Sequence, residues 1–336
     1  MTSNEFISRR ILLKASGLAC LGAAGLRTAP AMAQPTGKWP DKVVRIVVAG
    51  PAGGTADIVA RLLADGIGKD SGQPVVVDPK PGAGGVLAVN DLSQAPHDGY
   101  TLMVGVNSLV SEIPHIIKLR TDMAQEIKPL VELGRGGLVL VGGPTVPAKN
   151  FAEMIAWVKA NPGKVSYASY SPGTVSHVLG LQLNKAAGLD MTHVGYKGST
   201  PALTDVMGGH VPLMFDGMVT SLPMIKAGKL KAYAVSTPKR STLLPDVPTL
   251  AELGYPQLDT VGWMGLWCKP DVPAAMQAAV RESVLKVLAQ PAVKNRLLET
   301  GLEAGDTRGP DAMSASLAAD YKRVGEVLKS IDFKPE

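Results

Sequence analysis

The chain has 336 residues, 46% of them hydrophobic, 19% charged and 4% aromatic, with a formal charge of +5. That apolar content and modest charge exclude a disordered polyelectrolyte, and the length allows two hydrophobic cores. With no basic block interleaved with aromatic residues, nucleic acid is excluded as a partner.

The first 33 residues read as an export leader, set aside before the fold is considered. Ser8-Arg9-Arg10-Ile11-Leu12-Leu13-Lys14 is a twin-arginine pattern, Ala15 to Leu26 is weakly apolar, and Ala31-Met32-Ala33 places cleavage before Gln34. The apolar run is too short to cross a hydrocarbon core, which needs about 20 residues. The twin-arginine route is preferred over general secretion. Cys20 lacks the apolar residue three positions upstream that a lipoprotein would need, since Gly17 stands there. Cleavage removes four basic side chains and one acidic one, lowering the formal charge to +2. It also leaves Cys268 alone, so the mature chain has no intramolecular disulfide and rests on its cores. No later stretch is long and apolar enough to span a membrane, and a soluble periplasmic protein is expected.

Strands and helices then alternate. Val43 to Val48 is a β-branched run of buried-strand character, followed by a helix with Ile58, Val59, Leu62, Leu63 and Ile67 at helical spacing. Strands are predicted at Val75–Val77, Tyr100–Val104, Leu138–Val141 and Val165–Ala168. Helices are predicted at Phe151–Lys159, stopped by Asn161-Pro162-Gly163, and at Val175–Ala187. Met313, Leu317, Tyr321, Val324, Leu328 and Ile331 mark an amphipathic C-terminal helix. Such alternation predicts an α/β fold with parallel-rich sheets covered on both faces, split into two lobes. Gly134-Arg135-Gly136-Gly137 and Val261 to Leu266 are the candidate crossovers of a two-crossover hinge. The expected divisions are residues 1–33 (leader), 34–139 (lobe one), 140–264 (lobe two) and 265–336 (return to lobe one).

Two loops carry the chemistry. Ala49-Gly50-Pro51-Ala52-Gly53-Gly54-Thr55-Ala56-Asp57 joins a strand to a helix. A helix start presents unpaired N–H groups and a positive dipole end, and glycines let the backbone approach an anion. An ordinary turn with Thr55 as cap and Asp57 as first-turn acid would have the same sequence. Tyr170-Ser171-Pro172-Gly173-Thr174-Val175-Ser176-His177 repeats the device. Two such ends facing one cleft would suit a dicarboxylate, or one carboxylate held from both sides. Four or five charge-assisted hydrogen bonds of about 1.5–3 kcal/mol each, less the cost of immobilising the ligand, correspond to micromolar to roughly 10 nM dissociation constants. A third loop, Pro79 to Gly85, matches a dinucleotide fingerprint poorly, because Leu87 stands where a glycine is needed. No loop continues into Gly-Lys-Ser/Thr.

Enzyme signatures are weak. His97, His115, His177, His193 and His210 lack metal-ligand spacing, and there is no G-x-S-x-G elbow. Ser176 and His177 are adjacent on a helix and face different directions, which suits a loop or capping role for His177 better than a nucleophile–base pair. Cys268 reads as a buried filler, Tyr196-Lys197 lacks the companion residues of a reductase, and Trp263 and Trp267 read as hinge packing.

Segments in order along the mature chain resemble the substrate-binding proteins of tripartite tricarboxylate transporters, the Bug family. Gly53-Gly54-Thr55-Ala56-Asp57 with Ala60-Arg61 is similar to its PGGxxD…AR loop. Lys80-Pro81-Gly82-Ala83-Gly84-Gly85 is similar to RPGAGG, and Asp98-Gly99-Tyr100-Thr101-Leu102 matches DGYTL. Gly173-Thr174 with Ser176-His177 resembles GTxSH. Tyr196-Lys197-Gly198, Pro201-Ala202, Asp205, Gly208-Gly209 and Phe215-Asp216 follow its YKG…MFD block. Pro248-Thr249-Leu250 with Glu252 and Gly254 resembles its PTxxExG turn.

The resemblance implies a two-lobed periplasmic binding protein of type II, the flytrap fold. It implies a receptor that captures a small carboxylate and delivers it to a tripartite tricarboxylate-type membrane permease, with no cofactor, no metal and no catalysis, acting as a monomer. The implied ligand-binding residues are Gly53, Gly54, Thr55, Asp57 and Gly84 on lobe one, with Gly173, Thr174, Ser176, His177 and Asp216 on lobe two. Asp57 would orient its loop or a water rather than meet an anion, and Asp216 with Gly217 would close the pocket. Ala49-Gly50 and Ser171-Pro172 depart from the family pattern beside the pocket, so the ligand is not carried over from a relative. The more open first loop would admit a bulkier or aromatic carboxylate. The alternatives are a ligand sensor feeding a two-component kinase and, behind it, an α/β hydrolase or reductase.

Overall fold

A computed structural model describes residues 39–305, 307–330 and 333. The leader, its cleavage site and Cys20 lie outside the described residues. The chain opens with β1 (Val44–Val48), α1 (Thr55–Ser71), β2 (Val75–Pro79), α2 (Val86–Ser93), β3 (Thr101–Val106), α3 (Ser108–Ser111), α4 (Met123–Glu126) and β4 (Lys128–Gly136). It continues through β5 (Leu138–Gly142), α5 (Phe151–Lys159), β6 (Val165–Ser169), α6 (Val175–Ala187), β7 (Met191–Gly195), α7 (Ser199–Met207), β8 (Leu213–Gly217), α8 (Met218–Lys226) and β9 (Lys231–Val235). It returns through β10 (Gly262–Cys268), α9 (Ala274–Ala289), α10 (Pro291–Glu299), β11 (Glu303–Ala304) and α11 (Pro310–Ser330).

Two sheets result, ordered β11-β4-β10-β3-β1-β2 and β7-β6-β8-β5-β9. Each is apolar on both faces, with strand side chains alternating between two helix-covered cores. In β1, Val44, Ile46 and Val48 point into one cluster and Val47 into the opposite one. In β5, Leu138 and Leu140 divide from Val139 and Val141 in the same way. Although the alternation of strands and helices implied parallel pairing, both sheets are mixed. β1 pairs parallel with β2 and β3, but β10 runs antiparallel between β3 and β4. Likewise β6 pairs parallel with β7 and β8, while β5 runs antiparallel to β8 and β9.

The chain leaves the first sheet at Gly136 and enters the second at Leu138; it returns between Val235 and Gly262. The expected boundaries at 139/140 and 264/265 therefore fall inside β5 and β10. Gly134 and Gly136, read as hinge, belong to β4. They are glycine because β11 and its approach pass so close: an added Cβ would lie 3.1 Å from the carbonyl oxygens of Glu303 and Gly301 respectively. The two crossovers are joined through Ser236. Its hydroxyl accepts from Leu138 N–H (2.9 Å) and donates to the Thr260 carbonyl (2.7 Å). Its backbone bonds both neighbours as well, N–H to Leu138 O and O to Thr260 N–H, each at 2.8 Å.

Candidate functional site

A cavity of about 130 Å³ lies between the two sheets. That is close to the size of a void that holds one benzene. Its wall is formed largely by the starts of helices. Gly54 and Thr55 open α1, Gly85 precedes α2, Thr174 and Val175 open α6, Gly198 and Ser199 open α7, and Gly217 and Met218 open α8. The first N–H groups of each helix lack an intrahelical acceptor, and each start carries roughly half a positive charge. Five such ends around one enclosed space make a strongly electropositive site without a buried cation. No Asp or Glu stands among the lining residues, and the basic one, Lys197, is exposed. Between the helix ends the wall is apolar, with Val106, Leu138, Val175 and Met264 beside the ring of Trp263. Trp263, read as hinge packing, faces the cavity and stacks at 5.5 Å on Trp267, whose indole N–H donates to Gly105 O.

Loop one is held from behind. Gly53 has φ +72° and donates its N–H to Asp57 (2.9 Å), whose carboxylate also takes two bonds from Arg61 (2.9 and 3.0 Å). Asp57 is therefore spent on the loop and its i,i+4 partner. The cap of α1 falls to Gly54 rather than Thr55. Thr55, freed from capping, has a buried hydroxyl that makes no hydrogen bond within the protein. A Cβ on Gly217 would lie 3.2 Å from that oxygen and 3.3 Å from the Tyr170 hydroxyl, so only glycine leaves this corner open.

Loop two is braced in the same way. Gly173, at φ +84°, donates its N–H to His177 Nδ1 (3.2 Å), while the Thr174 hydroxyl donates to Ser171 O (2.8 Å). His177 is buried and stacks on His193 at 3.7 Å, and Ser169 Oγ lies 2.6 Å from His193 Nε2. Burial, and then the neighbouring His193, push His177 down to about 3; burial pushes His193 down to about 4. Both are neutral at pH 7. Ser176 ties α6 to the second sheet through the Phe215 carbonyl. Of the residues singled out from the sequence, Gly54, Thr55, Gly84 and Thr174 line the cavity. Gly53, Asp57, Gly173, Ser176, His177 and Asp216 stand behind the wall and fix its shape.

The depressed histidines make a prediction with a definite sign. The unfolded chain takes up their protons below about pH 6.5 and the folded chain does not, so their stabilisation is present above that pH and is lost as pH falls toward 4. For His177 the loss by pH 5 is roughly 2 kcal/mol. Urea unfolding of His177→Asn should show a correspondingly shallower acid slope than wild type, and equal slopes would refute the assignment.

Residues missed in the sequence include Asn107, Ser108 and Ser199. Asn107 is buried and pins β10, its Oδ1 accepting from Trp263 N–H (3.0 Å). Ser199 donates to Asp216 (2.7 Å), which also accepts from Thr220 (2.6 Å) and Ser221. Asp216 is wholly buried; burial raises its pKa and the hydroxyls around it oppose that rise. Cys268 is also buried, which pushes its thiol up to about 12 and leaves it inert.

The sequence profile described as tripartite tricarboxylate transporter family receptor matches residues 59–333. Among solved structures, the periplasmic binding protein BugD is 30% identical, with TM-score 0.83 over 89% of this chain and 100% of its own. Rpa4515 of R. palustris, solved with adipate, is 28% identical, with TM-score 0.84 over 89% of this chain and 100% of its own. MatC of Rhodopseudomonas palustris, solved with bound malate, is 30% identical, with TM-score 0.81 over 86% of this chain and 100% of its own.

Proposed function

The chain belongs to the tripartite tricarboxylate transporter family of receptors, and from that premise we propose that it captures a small carboxylate in the periplasm and presents it to a membrane permease of the tripartite tricarboxylate type. The observation that carries this reading is the convergence of five helix starts on one cavity whose wall holds no carboxylate. Such a wall attracts an anion and binds it through backbone N–H groups and hydroxyls, which need no counter-ion to be desolvated. The acids bound by Rpa4515 and MatC, together with the leader at the N-terminus, support the ligand class and the compartment. Gly54, Thr55, Gly84 and Thr174 contact the ligand. Asp57, His177 and Asp216 hold the loops that do so.

Thr55 gives the test. Its buried hydroxyl bonds to nothing in the protein, so its removal should leave the ligand-free melting temperature unchanged or raised. A hydrogen bond to a charged group is worth about 1.5–3 kcal/mol, so Thr55→Ala should weaken carboxylate binding roughly 10- to 100-fold. The first step is a thermal-shift screen of mono- and dicarboxylates, followed by titration calorimetry of each hit on wild type and Thr55→Ala. A screen in which no carboxylate raises the melting temperature overturns the reading.

A further inference from the structure

The Tyr196-Lys197 pair, which lacks the companions of a reductase, lies in the turn between β7 and α7. Backbone bonds hold that turn at both ends: Tyr196 N–H donates to Ser169 O (3.0 Å) and Gly198 N–H to Tyr170 O (2.7 Å). The Tyr196 hydroxyl is fixed on Asp205 (2.6 Å), but the Lys197 ammonium makes no hydrogen bond or ion pair among the described residues. Lys197 is exposed and still borders the cavity, so it stands at the mouth. It does so where loop one meets the second half, with Thr200 Oγ1 donating to Ala52 O at 3.3 Å. Two further cations lie close in sequence to the lining loops, and both are matched by carboxylates. Arg61 is paired with Asp57 at 2.9 Å. Lys80 lies 3.3 Å from Asp78 and 3.4 Å from Asp91, two acids that also hold Arg45. Lys197 alone carries a charge among the residues lining the cavity, and that charge is uncompensated.

We infer that Lys197 is the guiding charge of capture: it sets how fast an anion enters the cavity, while the helix starts set how long the anion stays. A hydrated charge on a flexible stem adds little once a guest is seated, because water screens the pair and holding the side chain still costs entropy. Its field reaches the guest earlier, during approach, where attraction at the rim of a cleft raises the association rate. The buried amides and hydroxyls act only after contact, and their loss is felt in dissociation. A unit charge met through water at about 4–6 Å changes the approach rate roughly three- to fivefold for a monoanion, and more for a dianion. The inference rests on the carboxylate-receptor reading and adds to it how the acid reaches the site.

Stopped-flow mixing with adipate and with malate tests it, read by the fluorescence of Trp263, which faces the cavity. At an ionic strength of about 0.01 M, where the Debye length is about 30 Å, Lys197→Gln should associate roughly three- to tenfold more slowly than wild type. At about 1 M, where the Debye length is about 3 Å, the two should agree within about twofold. Dissociation should be unchanged within about twofold at both. Lys197→Glu should slow association further, and Lys197→Arg, which keeps the charge, should restore it. If neither acid binds wild type, the tightest acid from the thermal-shift screen takes their place. The proposal falls if Lys197→Gln associates at the wild-type rate at low ionic strength, or if the deficit persists undiminished at high ionic strength. Dissociation accelerated more than about threefold would also overturn it, since Lys197 would then grip the seated acid. In each of these cases wild type still binds and the receptor reading stands; failure of every carboxylate removes both.

Discussion

Gly198→Val should reduce carboxylate affinity by more than a hundredfold while both sheets remain folded. Gly198 caps α7 at φ +112°, and a Cβ there would lie 2.2 Å from Cδ of Pro51 in loop one. Pro51 is held in a turn by Gly54 N–H, which donates to its carbonyl (3.1 Å), so the ring cannot retreat without unmaking the loop that starts α1. The substitution therefore holds the two halves of the site apart. Thr200 Oγ1, donating to Ala52 O at 3.3 Å, would lose its partner with them. Part of the effect is backbone strain, of order 1–3 kcal/mol for a side chain forced into such a conformation. Gly188→Val separates the two causes. Gly188 also has positive φ, +63°, but nothing lies within 4 Å of its added Cβ. Calorimetry and circular dichroism on both variants should show a comparable loss of stability, with affinity lost only in Gly198→Val. Wild-type affinity in Gly198→Val would mean that capture does not need loop one to meet α7.

Glu112→Gln should stabilise the protein by roughly 2–3 kcal/mol at pH 8 and remove a pH dependence that opposes the histidines. Glu112 is 5% exposed. It sits beside a small second cavity formed with Val178 and Gln182 of α6 and Arg323 and Val324 of α11. Burial pushes its carboxyl up to about 7; the Ser111 hydroxyl lowers it, Asp320 raises it, and Arg323 lowers it. Arg323 is itself drawn to Asp320 at 3.0 Å. Because the folded pKa lies above the unfolded one, the folded state holds the extra proton between about pH 4.5 and 7. Stability from this group is thus present at low pH and is lost as pH rises through 7. His177 and His193 act in the opposite sense over much of the same range. Glu112 therefore offsets about half of the histidine effect between pH 5 and 7: wild type should lose stability on acidification, and Glu112→Gln should lose it about twice as steeply. Urea titrations at pH 5, 6, 7 and 8 decide the matter; parallel wild-type and variant curves would mean that Glu112 is ionised throughout.

Much of the architecture was legible because it is local. The helices Phe151–Lys159 and Val175–Ala187 have the limits read from their spacing and stop signals, even though Gly180 interrupts the second. That glycine is explained only by the fold, since the Tyr167 ring lies 2.0 Å from where its Cβ would be. Strand direction was not legible. β10 joins β3 and β4 from more than 120 residues away, and nothing in Gly262 to Cys268 states which way it runs. For the site, loop chemistry singled out Gly54, Thr55 and Thr174 and the family resemblance Gly84, and all four line the cavity. Asp57, expected to orient its loop, accepts from Gly53 N–H, while Ser176, His177 and Asp216 stand behind the cavity wall rather than in it. Their polar atoms turn back into the protein, and which way a side chain faces depends on partners such as Arg61, Phe215, Gly173 and Ser199. Ser199 was missed because it does not follow a Gly-rich strand end, only a single glycine at φ +112°.

The Ser236 junction has a mechanical consequence. Because Leu138 and Thr260 are bonded to one residue by backbone and hydroxyl together, any rotation of one sheet against the other must carry both connections at once or break these bonds.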